Sequence, residues 1–153
     1  MGFHRVRHAL CAAALAACTV PGAGCIALMA DKPTRISADR LTGKRWLVET
    51  IDGVSVPVDT ESTLHFESAT AISGQGGCDA FSASVGILDG EFRAGPLSLL
   101  GPQCSPELMA LQARYFAALE AARRFEAGDL YLVLFDAEGR QRLGLSLIVP
   151  PSK

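Results

Sequence analysis

The chemistry open to this chain of 153 residues rests on its five cysteines, on His65 and Asp79, and on one glycine run. Cys18 follows Leu15-Ala16-Ala17. Residues 1–8 carry Arg5 and Arg7, and residues 9–17 carry no charge. A positive start, a short apolar middle and small residues before a cut are the parts of an export signal. A cysteine directly after the small residues, with Leu three positions before it, has the pattern of a lipobox. Cys18 would take lipid on its sulfur and become the new N-terminus. Gly22-Ala23-Gly24-Cys25 is the alternative site, although Gly22 is a weak stand-in for the aliphatic residue expected there. Ordinary cleavage without lipid is the third reading. The apolar run is shorter than the roughly 20 residues that a membrane-spanning helix needs, and no later run approaches that length. The body is therefore expected to be soluble.

Cys78 and Cys104 lie in that body. An exported protein meets an oxidising compartment, so the two could pair, and two free structural thiols are the other reading. A nucleophilic Cys78 would need an activating base. His65 is the only histidine left once residues 1–17 are removed. Between Leu64 and Phe66 on a strand, it faces away from both and reads as an ordinary surface side chain. Two cysteines and one histidine lack a fourth zinc ligand. Gly74-Gln75-Gly76-Gly77 lacks the Lys and Ser/Thr of a phosphate loop and reads as a turn leading into Cys78. Asp79 would either close that turn through its own backbone or line a ligand-facing surface. The expectation is a protein that is not an enzyme and holds no metal or cofactor.

Charge narrows the partners. The 14 basic and 16 acidic residues give a net charge of −2. Losing Arg5 and Arg7 leaves 12 basic residues against 16 acidic ones. No basic stripe is present, which argues against nucleic acid. Through the N-terminal lipid, the expected partner is a membrane.

The positioning elements follow from periodicity and punctuation. Residues 1–17 read as signal, 18–39 as a tether holding Pro21, Gly22, Gly24 and Pro33, and 40–150 as one domain. Residues 46–51 are rich in β-formers, and Asp52-Gly53 is a two-residue hairpin signal. Val54, Val56 and Val58 alternate, with Pro57 restricting them to an edge. Leu64 and Phe66 mark a half-buried strand, and residues 71–74 a shorter one. Residues 81–88 end in a second hairpin signal, Asp89-Gly90. Phe92 and residues 97–100 suggest further short strands. Ser105-Pro106-Glu107 is a helix start, with Ser as cap, Pro at the first position and an acid at the positive dipole end. Leu108, Leu111, Tyr115, Leu119 and Ala122 then share a face beside Phe116, and Arg123 and Arg124 suit the C-terminal end. Leu130, Leu132 and Leu134, then Leu143, Leu145, Leu147 and Val149, alternate as closing strands on either side of a turn at 136–139. The fold class is mainly β (α+β): a curved antiparallel sheet or partly closed small barrel with one covering helix.

These features, in order, resemble the META domain of the heat-shock HslJ-type lipoproteins of bacteria. Leu41-Thr42-Gly43-Lys44-Arg45-Trp46 resembles the family's opening, Ile51-Asp52-Gly53 its first turn, and Leu64-His65-Phe66 and Ile72-Ser73-Gly74 its next strands. Gly77-Cys78-Asp79-Ala80-Phe81 resembles its most recognisable block, usually Gly-Cys-Asn-x-Phe. Cys104, then Met109 and Tyr115, resemble its second cysteine and helix, and residues 128–132 its closing strands. Three departures stand out. Asp79 replaces the usual Asn, Leu99-Leu100-Gly101 replaces a Thr-rich segment, and Gln112 replaces a Glu on the helix. The resemblance implies a cell-envelope lipoprotein facing the periplasm or exterior. Members are associated with heat and antibiotic stress tolerance, without an established enzymatic activity, and on that resemblance this chain would act through contacts with an unknown envelope protein. The alternative is a small-molecule-binding β-barrel-like module in the periplasm, which needs an apolar cavity.

Overall fold

The computed structural model describes residues 38–101 and 104–150. The expected signal, the tether up to residue 37, and both candidate lipid sites, Cys18 and Cys25, lie outside those residues. The described residues begin with a turn of 3-10 helix, Ala38–Arg40, and then form ten strands and one helix. The strands are β1 (Arg45–Ile51), β2 (Val54–Ser55), β3 (Ser62–Phe66), β4 (Ala71–Gly76), β5 (Ala80–Leu88), β6 (Glu91–Ala94), β7 (Ser98–Leu100), β8 (Arg124–Ala127), β9 (Tyr131–Phe135) and β10 (Gln141–Leu147). The helix α1 (Pro106–Ala121) lies between β7 and β8.

Eight strands close into an antiparallel barrel in the order β1-β3-β4-β5-β6-β8-β9-β10, with β10 returning to β1. Trp46 pairs with Leu147 and Val48 with Leu145 across that closure. The two remaining strands are short outriders, β2 on β1 and β7 on β5. The seam between β6 and β8 is narrow, with the single residue pair Glu91↔Arg124. Backbone bonds from Phe92 N to Arg123 O (2.9 Å) and from Phe125 N to Gly90 O (3.0 Å) flank it.

Period-two alternation decides what fills the barrel. Trp46, Val48 and Ile51 of β1, Leu64 and Phe66 of β3, Leu132 and Leu134 of β9, and Leu143 and Leu145 of β10 all point inward and are buried. Phe81, Phe92 and Phe125 complete the core, with Phe66 and Phe92 edge to face at 6.4 Å. Eight strands leave an interior that side chains can just fill or that can hold one small ligand; here side chains fill it. Helix α1 covers one opening with Tyr115, Phe116, Ala118 and Leu119, and Leu41 is buried with the core.

Both hairpin signals behave as read. Asp52 and Gly53 (φ 50° and 76°) and Asp89 and Gly90 (φ 49° and 86°) take the two left-handed positions that a two-residue hairpin turn demands. The run Val54-Val56-Val58 departs from expectation. The strand is only Val54–Ser55, followed by one further bond from Val56 N to Glu49 O of 2.8 Å, and Val58 is fully exposed beyond Pro57, which has no N–H to extend a ladder.

The Gly74–Gly77 run also differs from its reading as a turn. Gly74, Gln75 and Gly76 belong to β4 and pair with Leu64, Thr63 and Ser62 of β3. The glycines serve close approach. A Cβ on Gly76 would lie 2.6 Å from Phe116 Cζ and 2.8 Å from Gln112 Oε1. The turn itself is only Gly77-Cys78-Asp79, opened by Gly77 at φ 98° and closed by a bond from Gly76 N to Asp79 O of 2.8 Å.

Candidate functional site

The sequence motifs converge where that tight turn meets helix α1. The helix starts there because Ser105 accepts a bond from Leu108 N (3.4 Å) and Pro106 occupies the first turn, where its missing N–H costs nothing. The Glu107 carboxyl is held below the usual carboxylate range by its own backbone N–H and by Ser105. Just upstream, Cys104 forms a disulfide with Cys78, with Cα atoms 5.9 Å apart. The bond ties the segment entering the helix to the turn between β4 and β5. It also removes Cys78 as a nucleophile.

Asp79 and Gln112, the two polar departures from the family pattern, meet here. The Asp79 backbone N–H donates to Gln112 Oε1 (2.7 Å), and Gln112 Nε2 donates to Asp79 Oδ2 (2.6 Å). Where the family usually carries an amide in the turn and a carboxylate on the helix, this chain carries the carboxylate in the turn and the amide on the helix. The hydrogen bonding is complementary either way. Neither reading of Asp79 anticipated the helix as its partner, because 33 residues separate the pair.

Beneath the pair, Phe81 packs edge to face on Tyr115 (5.8 Å) and Phe116 (5.2 Å). Tyr115 Oη donates to Thr63 O at 3.0 Å, and burial pushes its phenol pKa far up. Arg114 Nη2 donates to Ile51 O at 3.2 Å, fixing the helix to the end of β1. At the other helix end, Arg123 donates to the carbonyls of Glu120 (2.6 Å) and Ala122 (2.7 Å), as its place near the C-terminus suggested.

His65 stays apart from this junction. It is half-buried on β3, paired in register with Arg45 and Ser73. Among the described residues, no three His, Cys, Asp or Glu side chains come together to hold a metal ion. Grooves lie on the outside of the described residues. One of about 310 Å³ runs between the β2–β3 loop and the helix, lined by Ser55, Pro57, Thr60, Glu107, Leu108, Leu111 and Arg114. Another, of about 280 Å³, lies along Leu47 and residues 55–58. On β7, where Leu100 pairs in register with Ala80, the residue after Asp79, Leu99 and Leu100 show 50 % and 72 % of their surface. No helix of the described residues is long and apolar enough to cross a membrane.

The family model of the META domain matches residues 39–146. The chain belongs to the META-domain family. Two META-like folds in solved structures agree with the barrel. One, an NMR structure, is 24 % identical with a TM-score of 0.59, covering 73 % of this chain and 95 % of that one. The other, an NMR structure of a protein from Burkholderia xenovorans, is 19 % identical with a TM-score of 0.58, covering 74 % and 87 %. Both show a shared fold. A search of curated proteins finds no match. In this META domain the family's recognisable block around Cys78 is the clamp that seats the helix on the barrel.

Proposed function

We propose that this META-domain protein is a non-catalytic lipoprotein of the cell envelope, anchored through Cys18, that supports tolerance of envelope stress by contacting another envelope protein. The observation that carries the reading is the filled barrel. Trp46, Phe66, Phe81, Phe92 and their neighbours occupy the interior, which leaves the outer surface as the place to work. The same packing disfavours the small-molecule module, whose ligand would need that space. Among the described residues the two thiols are joined to each other and His65 pairs in register with Arg45 and Ser73, so they offer catalysis no thiol–imidazole pair. The contact surface is assigned to the half-buried turn around Asp79 and the exposed strand β7 next to it, where Leu99 and Leu100 stand out beside the clamp.

Complementation of a deletion strain under heat or antibiotic stress tests this. A folded Cys78→Ala/Cys104→Ala/His65→Ala variant is expected to retain the cellular effect, and Leu99→Ser/Leu100→Ser to lose it. Loss of effect in the folded triple variant, with the Leu99→Ser/Leu100→Ser protein behaving normally, would return the function to thiol chemistry.

A further inference from the structure

We propose that the face of the barrel beside Ala38, where the N-terminal extension joins, is a contact surface for a phospholipid bilayer. The inference rests on the proposed anchoring at Cys18.

Five of the exposed large apolar side chains gather at this one place. Tyr131 and Leu47 each pair in register with Ser146, from opposite sides of β10. Leu147 N donates to Leu130 O and Ile148 N to Arg45 O, both at 2.9 Å, which sets Leu130 and Ile148 beside the same register point. Val149 follows. Leu130 and Val149 expose 64 % and 65 % of their surface, and Tyr131 53 %. Isolated exposed apolar residues are ordinary, whereas a contiguous group marks an interaction surface.

Charge and chain path select the occupant. Lys44 and Arg45 supply cations beside the apolar group, and Arg40 is paired there with the exposed acid Asp129. Arg40 reaches Asp129, the residue before Leu130, at 3.3 Å, and Lys44 and Arg45 line a groove of about 390 Å³ with residues 147–150. Basic side chains around an apolar centre with a tyrosine suit a bilayer interface, where the cations meet headgroup phosphates and the ring sits at headgroup depth. Arg40 also fixes the point of departure, two residues after Ala38. From Cys18 to Ala38 is 20 residues, a reach of at most about 70 Å. A lipid at Cys18 therefore keeps this face, the one nearest the attachment, within reach of the membrane that holds the lipid. The surface patch would add apolar burial to the attachment that the lipid at Cys18 supplies.

The test uses the full-length lipid-carrying protein in vesicles of phosphatidylethanolamine and phosphatidylglycerol. Trp46, the chain's one tryptophan, is fully buried and gives a constant background. Tyr131→Trp and, separately, Ile148→Trp are compared with Leu100→Trp on β7. Vesicle flotation reports the anchor, and emission with and without lipids brominated on their acyl chains reports the surface. Blue-shifted emission that brominated lipid quenches in Tyr131→Trp and Ile148→Trp, and not in Leu100→Trp, is the expected result. Protein that floats while both patch tryptophans stay unquenched overturns the bilayer surface and leaves the anchor standing. Protein that does not float removes the anchor and this inference together.

Discussion

Replacing Gln112 by Glu puts two carboxylates where Asp79 Oδ2 and Gln112 Nε2 now meet at 2.6 Å. Both cannot be ionised at that separation, so one must hold a proton. The protonated form is nearly isosteric with the native pair. One oxygen of the new carboxyl still accepts the Asp79 N–H, and its O–H donates to Asp79. The cost of Gln112→Glu is therefore the cost of keeping that proton. An unfolded glutamate titrates near 4.3, and each pH unit above that adds about 1.36 kcal/mol, so the penalty at pH 7 is at most about 3.7 kcal/mol. The sign is fixed: the variant's folded pKa is raised, so the penalty is absent near pH 4 and grows with pH until the folded value is reached. Gln112 is 8 % exposed, which limits escape into water. The Asp79→Asn/Gln112→Glu double variant restores one amide and one carboxylate and should recover most of the loss at pH 7. Urea melts of the three proteins at pH 4 and pH 7 measure this. A single variant as stable as wild type at pH 7, or a double variant no better than the single, would refute the pairing as an energetic unit.

Removing the Cys78–Cys104 bond, by reduction or by Cys78→Ala/Cys104→Ala, should cost about 3.5 kcal/mol for its 26-residue separation and lower Tm by about 15 °C in calorimetry; non-reducing peptide mapping should recover the two cysteines in one linked fragment. Gly76→Ala must displace Phe116 or Gln112, so chemical denaturation should show a loss of about 1–3 kcal/mol. Burial alone would raise the Asp136 carboxyl, but the backbone N–H and guanidinium of Arg140, with the Glu138 N–H, outweigh it and hold the group below its ordinary value. Its contribution is thus present above about pH 4 and lost as pH falls through the lowered value; Asp136→Asn should flatten the acid limb of a stability–pH curve. Tyr115→Phe removes the donor to Thr63 O and should cost about 0.5–1.5 kcal/mol in the same melts.

What the sequence made legible was local. The β1–β2 and β5–β6 turns were readable because Asp-Gly meets the left-handed backbone of a two-residue hairpin at both positions. The helix start was readable because Ser105, Pro106 and Glu107 each answer an unpaired backbone group or the dipole. The mainly β class followed from alternation in β3, β9 and β10. What stayed hidden depended on distant partners. Gly74 and Gly76 look like turn residues until Phe81 and Phe116 are in place to forbid side chains there. Gln112 falls within the helix's inward face, yet nothing local says that its amide will meet Asp79. Full closure of the barrel was undetermined for the same reason, since no property of β10 alone announces β1 as its neighbour.

That last pairing sets the order in which the chain can mature. Trp46 of β1 is bonded in register to Leu147 of β10, the first strand to the last. A polypeptide emerging N-terminus first, from a ribosome or through a pore, carries β1 with one edge open until nearly the whole domain has followed. Hairpins such as β3–β4 and β5–β6 can form on the way, because their loops are short and closing them costs little entropy. The cylinder cannot, because its final rung spans the length of the domain and is reached late. Acquisition of the fold is thus coupled to completion of synthesis or passage: an interrupted chain lacks its last stave and stays a rolled-open sheet, with the barrel's apolar lining accessible to whatever escorts it.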